Sequence, residues 1–575
     1  RQAQNSVLDL NLIEDEVKNT RKRLNPKREK EAAKASHPTP TASEKKPVAK
    51  ATRNREFAVV TYFFVFLFVA LIIYVVGFVL FESSTVINNA YNKRSTVYAS
   101  RTIRGSILAA DGSVLAETQV DDDGNETRVY PYGETFAHVV GYNIQGTAGV
   151  ESLANYYLLR SHTFLLTYLK NEITGNKNQG DSVITTLDVD LQEAAYEALG
   201  DYNGAVVVLQ PSTGKILAMV STPTFDPNTL EEDWSDIVSD DDGDSVLLNR
   251  ATQGLYPPGS IFKIFATVEY LRENNYDDSD FSYTCKSSYT VGSSTIHCYG
   301  NAQHGKEDLE DAFANSCNSA FAKIGSELDW DEFYEMCENF FFNMTLPSNV
   351  AAAKSQFSLN GSGSKSLIPQ SSIGQGDTLM TPMHNAMIAA MIANGGVLMK
   401  PYLVDRYESS TGSWKDKNSP ELYGTMMSPD EVKVLTECMR AVVSDGTAAE
   451  GCATAKYRAA GKTGSAEYNA EKESHAWFIG FAPYDDPQIA ICVLVEGGGS
   501  GAVLFPVFQL RIDLLHRGGA ALAEPGRELG GAFLAQIAVL QLAVAQQADL
   551  IPADIAEFFI EQSHNSTSLF IYNIA

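Results

Sequence analysis

Positive charge is scarce in this chain except at one end. The 575 residues carry 44 Lys and Arg against 71 Asp and Glu, a net charge of −27. Residues 1–56 hold 14 Lys/Arg and 8 Asp/Glu, a net of +6, which leaves −33 for the rest. So acidic a body repels a phosphate backbone, and nucleic-acid binding is not expected. Cysteine is sparse too. The seven cysteines include no C-x-x-C pair of the kind that marks a zinc site, and neither a metal nor a cofactor is expected. Cys285 and Cys298 bracket a Ser/Thr/Gly-rich loop, and Cys438 and Cys452 bracket another. For each pair a disulfide and two free buried thiols stay open. A calcium loop is missing: in the acidic run Asp240 to Asp244, Val238 stands where the first ligand belongs. A phosphate-binding loop is missing as well, because Lys456 stands five residues before Gly461, where that motif needs glycine.

One uncharged apolar run breaks the pattern, Phe57 to Phe81, 25 residues between Glu56 and Glu82. That length crosses a bilayer with some tilt. It is too long for the apolar part of a cleaved signal peptide, and no small-residue cleavage site follows. Lys45, Lys46, Lys50, Arg53 and Arg55 precede it closely; Lys93, Arg94 and Arg101 follow farther off. The positive-inside rule then puts the N-terminus in the cytoplasm and the rest of the chain outside.

Three short motifs follow in order: Ser260-Ile261-Phe262-Lys263, Ser316-Cys317-Asn318 and Lys462-Thr463-Gly464. Alone, the first two are weak. S-x-x-K recurs at Ser43, Ser212 and Ser362, and S-x-N at Ser358 and Ser563. Context separates them. Ser43 lies in the basic tail, Ser212 in a turn, Pro211-Ser212-Thr213-Gly214, and Ser362 in a Gly/Ser loop. Only Ser260 follows Pro257-Pro258-Gly259 and opens a long apolar helical stretch. Taken locally, that position is a helix N-cap. The two downstream motifs give it a second reading as a nucleophile. Cys317 reads as a small packing residue.

Along the chain, residues 1–56 read as a polar, flexible cytoplasmic tail and 57–81 as a transmembrane helix. Residues 82–180 read as a membrane-proximal region of short strands and turns. Residues 181–505 form the main unit, and 506–575 are a C-terminal region of uncertain origin. In the main unit, Ile184 to Asp188 reads as a strand and Leu191 to Leu199 as a helix. Ala205–Leu209 and Ile216–Val220 form a hairpin. The stretch from Ser260 to about Ala393 is largely helical. Trp477–Phe481 and Ile489–Val495 are buried strands. Strands at both ends around a helical middle predict one α+β domain whose sheet joins the two ends.

The motif series and the anchor resemble the class B penicillin-binding proteins, the monofunctional transpeptidases of bacterial cell-wall synthesis, and most of all their PbpA-type subgroup. Arg104-Gly105, Asp111-Gly112, Tyr130-Pro131 through Tyr142, Asn249-Arg250-Ala251 and Ile373-Gly374-Gln375-Gly376 add to the resemblance, which runs from Asn54 to Gly501. Beyond it, Val503 to Leu515 is apolar enough for a closing helix, but Gly518 to Ala575 matches nothing in the family, as a frame-shifted or fused tail would. The resemblance implies an antiparallel sheet with helices on both sides and an all-helical subdomain. It implies Ser260 as nucleophile, Lys263 as its base, Ser316 as a proton relay and Asn318 as a hold on the substrate backbone. Lys462 and Thr463 would bind the terminal carboxylate, and the N–H groups of Ser260 and Ser465 would form an oxyanion hole. Gly464 is expected to let a substrate strand lie close. The substrate would be a stem peptide ending in D-Ala-D-Ala. β-Lactams would acylate Ser260, and a SEDS-type membrane glycosyltransferase is the implied partner.

On residue chemistry, Lys263 lies one helical turn from Ser260 and is expected to reach its hydroxyl. It serves as a base only when neutral, which burial, the helix N-terminus and the charge of Lys462 would favour. A serine β-lactamase shares the motifs, but none of the four Leu-Asn pairs has the Glu three positions before Leu that a class A enzyme needs. A D,D-carboxypeptidase fits the motifs equally. A penicillin sensor is disfavoured by the single span and short tail, and a scaffold for the synthesis complex is compatible with the enzyme.

Overall fold

The computed structural model describes residues 55–78, 99–239, 245–358, 367–453, 457–466 and 473–501. The basic tail up to Asn54, the acidic run 240–244, Ser362 and everything from 502 on, including the closing helix and the tail to Ala575, lie outside them. The chain divides into two units, Arg1–Phe81 and Glu82–Ala575.

In the first unit, Arg55–Gly77 is one helix, α1, 23 residues long. Its length of about 34 Å matches a bilayer core. Its residues Phe57–Gly77 are apolar enough to cross one, and none of that window is buried inside the protein. A helix of this length that is apolar on every side is a candidate membrane span.

Early in the second unit, β1 (Ile107–Leu108), β2 (Val114–Val120) and β3 (Glu126–Val129) are joined antiparallel. The strand β4 (Ser182–Thr185) pairs parallel with β1. Asp188 Oδ1 then accepts from Leu191 N at 2.9 Å and starts α2 (Val189–Leu199), as a side-chain cap should. The hairpin follows as β5 (Gly204–Leu209) and β6 (Ile216–Thr222), with Ser212 exposed in its turn.

The helical middle comprises α3 (Lys263–Glu273), α4 (Leu309–Ala314), α5 (Asn318–Glu327) and α6 (Trp330–Asn339). It also carries two ribbons. The strand β7 (Tyr283–Cys285) pairs with β10 (Gly305–Glu307), and between them β8 (Ser288–Val291) pairs with β9 (Ser294–His297). The rings of Phe262, Phe265, Phe333, Phe342 and Phe357 pack edge to face or tilted around α3. The helix α7 (Pro382–Ala393) is buried from Pro382 to Ile392.

Strands β11 (Val404–Glu408) and β12 (Lys415–Lys417) return to the first sheet, whose order is β12-β11-β4-β1-β2-β3. That first sheet is therefore built from segments on both sides of residue 180. After α8 (Pro429–Ser444) come β13 (Ala460–Ala466), β14 (His475–Ala482) and β15 (Ile489–Val495). They make an antiparallel sheet in the order β13-β14-β15-β5-β6, so both ends of the unit join, and α7 packs on its middle strands. β13 is an edge strand, with one side of its backbone unpaired within the sheet. All seven cysteines are free buried thiols, so neither Cys285/Cys298 nor Cys438/Cys452 is a disulfide.

Candidate active site

Ser260 sits in a short 3-10 turn, Gly259–Phe262, that feeds α3. Here the local reading fails: the residue capping α3 is Phe262, no side chain caps the turn or the helix, and Ser260 lines a cleft instead. Three contacts fix the turn. Trp477 Nε1 donates to Pro257 O at 2.9 Å, Gly259 N donates to Gly374 O at 2.9 Å, and Gly259 packs on Ser465 of β13. The last contact requires glycine. Its φ is +54°, and a Cβ there would lie 2.5 Å from Ser465 O. Ile373-Gly374-Gln375-Gly376 thus serves as the shelf on which the serine turn rests.

Lys263 is fully buried. Its Nζ donates to Ser316 O at 2.7 Å, to Ser316 Oγ at 3.1 Å and to Asn318 Oδ1 at 2.8 Å. These use all three ammonium donors, and none goes to Ser260. Ser316 itself has φ +54°, a left-handed conformation that costs a non-glycine residue about 1–2 kcal/mol. The loop is held by Ser316 N on Phe313 O and Cys317 N on Ala312 O. The strain turns Ser316 Oγ toward a second buried lysine, since Lys462 Nζ donates to it at 3.0 Å and to Thr463 O at 3.1 Å. One hydroxyl therefore lies between two lysines.

Burial pulls Lys263 down to about 7, with Cys317, Cys298 and Glu307 opposing part of the shift. Burial and the charge of Lys263 push Lys462 well below the usual lysine range. Of the expected causes, burial is the one that acts on Lys263. Desolvation depresses Lys263, and the repulsion between the two lysines appears at Lys462.

On β13, Thr463 and Ser465 face the cleft while Lys462 and Gly464 face inward. Thr463 Oγ1 lies 2.6 Å from Thr447 Oγ1, a partner that no sequence motif announced. A Cβ on Gly464 would meet Ile261 Cγ1 and Pro258 O at 3.0 Å. The missing side chain makes room for the serine turn rather than for a substrate strand, which corrects the expectation for Gly464. The carbonyl of Ser465 points at Gly259, and in a strand the N–H of a residue points to the same side as its carbonyl. Asn318 is engaged at both ends, accepting from Lys263 and donating by Nδ2 to His297 O at 3.1 Å.

The cleft holds about 1030 Å³. Ser260, Ser316, Asn318, Thr447, Thr463 and Ser465 all line it, so segments 56 and 146 residues apart converge there.

Two family models match the chain. The penicillin binding protein transpeptidase domain covers residues 204–509, and the penicillin binding protein A dimerisation domain covers 104–183. The peptidoglycan D,D-transpeptidase PbpA of Mycolicibacterium smegmatis is 34% identical over 446 residues, 73% of this chain and 87% of that protein. That of Mycobacterium tuberculosis is 32% identical with the same coverage. Among solved structures, the penicillin G acyl-enzyme complex of penicillin-binding protein A from M. tuberculosis is 32% identical with a TM-score of 0.66, covering 72% of this chain and all of that one. The D,D-transpeptidase domain of a peptidoglycan glycosyltransferase from Eggerthella lenta is 29% identical at the same TM-score, covering 73% of this chain and 100% of that one. With its transpeptidase fold, its three converging motifs and these relatives, the chain belongs to the class B penicillin-binding proteins.

Proposed function

We propose that this protein is a peptidoglycan D,D-transpeptidase that works through an acyl-enzyme on Ser260. The observation that carries the reading is the pair of buried lysines on Ser316 Oγ, in the cleft that Ser260 lines. Ser260 Oγ attacks the carbonyl carbon of the penultimate D-Ala, and its proton passes to neutral Lys263, whose Nζ leaves Ser316 to reach it. The oxyanion is held by the N–H groups of Ser260 and Ser465. One such donor is worth about 3 kcal/mol of barrier. Ser316 Oγ then hands a proton to the departing D-Ala amine and is resupplied by Lys263. An amine of a neighbouring stem attacks the ester, loses its proton along the same route and releases Ser260.

The terminal carboxylate is met by the hydroxyls of Thr463 and Thr447, with the charge of Lys462 behind them. An arriving anion draws a proton back onto that lysine. Asn318 has a second N–H left for the substrate backbone. A β-lactam presents a similar acyl group and carboxylate, so it acylates the same serine. Residues 57–81 anchor the chain with residues 1–56 in the cytoplasm. Residues 82–180 are the pedestal and 181–505 the catalytic domain outside. A SEDS-type glycosyltransferase is the partner this arrangement suits.

The test is turnover. The full-length protein in detergent is given a stem pentapeptide ending in D-Ala-D-Ala together with a stem amine acceptor. Cross-linked dimer with release of one D-Ala per bond is expected. Hydrolysed tetrapeptide without dimer would make it a carboxypeptidase instead.

A further inference from the structure

Three carboxylates meet between two helices of the second unit, and no step above uses them. Glu269 and Glu273 stand four residues apart on one face of α3, and Glu332 lies in the first turn of α6, 59 residues farther on. One oxygen from each lies within 4.8 Å of the other two. Nothing basic answers them. Among the described residues none of the three pairs with a lysine, arginine or histidine. Arg272, next to them in sequence, is committed elsewhere: its Nε meets Glu431 Oε1 at 2.6 Å and its guanidinium lies over the Phe340 ring. Three like charges this close repel one another.

An exposed acidic cluster alone would be a solvated patch. Glu269 sets this one apart. It is only 2% exposed, and its Oε2 is closed to solvent and has no hydrogen-bond partner among the described residues. A buried carboxylate oxygen left without a partner is costly. Burial pushes this carboxyl up to about 7; Arg272 opposes the shift, and Glu273, Glu332 and Glu431 add to it. A cation among the three carboxylates would offset the burial and the repulsion together.

We propose that Glu269, Glu273 and Glu332 bind one calcium ion, which pins the end of α3 to the start of α6. The donors are all hard oxygens, which suit calcium or magnesium rather than zinc or copper. Calcium binds oxygen at about 2.3–2.6 Å, so two ligands of one ion stand up to about 5 Å apart. Magnesium, at about 2.0–2.1 Å, reaches about 4.2 Å and demands a near-ideal octahedron. Carboxylates from two separate helices, spread over as much as 4.8 Å, fit the larger and more tolerant ion. Glu273 and Glu332 are exposed, so water completes the shell.

The two helix ends are already in place. Asp329 N, at the cap of α6, donates to Glu273 Oε1 at 2.7 Å and holds that carboxylate beside α6. At its other end α3 opens with Lys263, directly after the Ser260 turn. The ion would steady the helix that carries the base. Its ligands are positioning residues and touch no substrate.

The experiment uses the full-length protein in detergent, stripped with a chelator and then given calcium chloride up to 10 mM. The unfolding midpoint is expected to rise, with half the effect at about 10⁻⁴ to 10⁻³ M, the range of extracellular calcium modules. Hydrogen exchange should slow in the peptides spanning 269–275 and 329–335, which places the ion at this junction. Magnesium chloride should need at least tenfold more for the same shift. Glu332→Gln, exposed and safe for folding, should lose the thermal shift and the protection, while Glu335→Gln, on α6 but outside the cluster, should keep both. Glu269→Gln should lose them too. Without calcium it should melt no lower than the wild type, since an amide of the same shape removes the repulsion. No thermal shift on a folded wild type would overturn the proposal, as would a shift that survives both Glu269→Gln and Glu332→Gln, or magnesium acting as well as calcium. None of these readouts involves acylation, so failure here leaves the transpeptidase reading intact.

Discussion

Lys263 holds the substituents of Ser316 and Asn318 in the resting site, yet it is the residue asked to deprotonate Ser260. A neutral amine has two donors and a lone pair, so deprotonation frees one of these three bonds and gives Nζ a reason to turn. With its value near 7, the switch falls at ordinary pH. Acylation by penicillin should therefore rise as pH passes through about 7 and then level off, measured by stopped-flow or gel labelling. Lys263→Arg, which stays charged, should lose the rise and acylate roughly 10²- to 10⁴-fold more slowly. The same shift makes a stability statement. The folded value is depressed below 10.5, so between about 7 and 10.5 the unfolded chain binds a proton that the folded chain does not. This site's contribution to stability then rises with pH across that window and is least favourable below it. That Ser260, Lys263, Ser316, Asn318, Lys462, Thr463 and Ser465 come together at one cleft was legible because the motifs that carry them accept few residue types at fixed spacing. Thr447 was not, since a threonine in a polar turn carries no periodic or motif signal. The space at Gly464 was misread because a sequence does not say which side of a strand a missing Cβ faces.

Among elements, the turn carrying Ser260 depends on a close approach to the edge strand β13. Gly259→Ala must place a Cβ against Ser465 O while keeping φ at +54°. The expected cost is about 1–3 kcal/mol in chemical denaturation, with a larger loss of acylation than of fold, because the carbonyl it displaces shares its residue with the proposed oxyanion donor. Glu151 plays a comparable part in the first sheet. It is fully buried and pairs with Arg104 at 2.5 Å and with Arg128 at 2.8 Å, and Tyr130 OH donates to it at 3.2 Å. Burial pushes its carboxyl up, but the two arginines more than reverse that and hold it below the ordinary value. Its contribution is thus present at neutral pH and lost as pH falls through the depressed value. Glu151→Gln should cost about 3–5 kcal/mol, read by denaturant unfolding, because two arginines are left with one buried charge missing. The strands β5, β6, β14 and β15 were readable as apolar runs bounded by turns. The ribbons β7 to β10 were not, because they are short, polar and half-exposed. β11 and β12 carry charges that mask any alternation, so their return to the first sheet had no sequence signal.

For the whole molecule, the sequence showed an apolar helix of membrane length, a strand-rich segment and a transpeptidase unit, because helix length and motif order are both one-dimensional properties. What it hid is three-dimensional. The first sheet draws strands from residues 107 and 408 alike, and cysteines spread over 33 positions meet at one loop. The account stands on Ser260 as the nucleophile at the point where these segments meet. Its most direct test is intact-mass and gel analysis of the full-length protein with a fluorescent penicillin, wild type beside Ser260→Ala. One covalent adduct per chain on the wild type, mapped to Ser260 and absent from a folded Ser260→Ala, is the predicted result. An adduct that persists in Ser260→Ala, or none on a folded wild type, would contradict it.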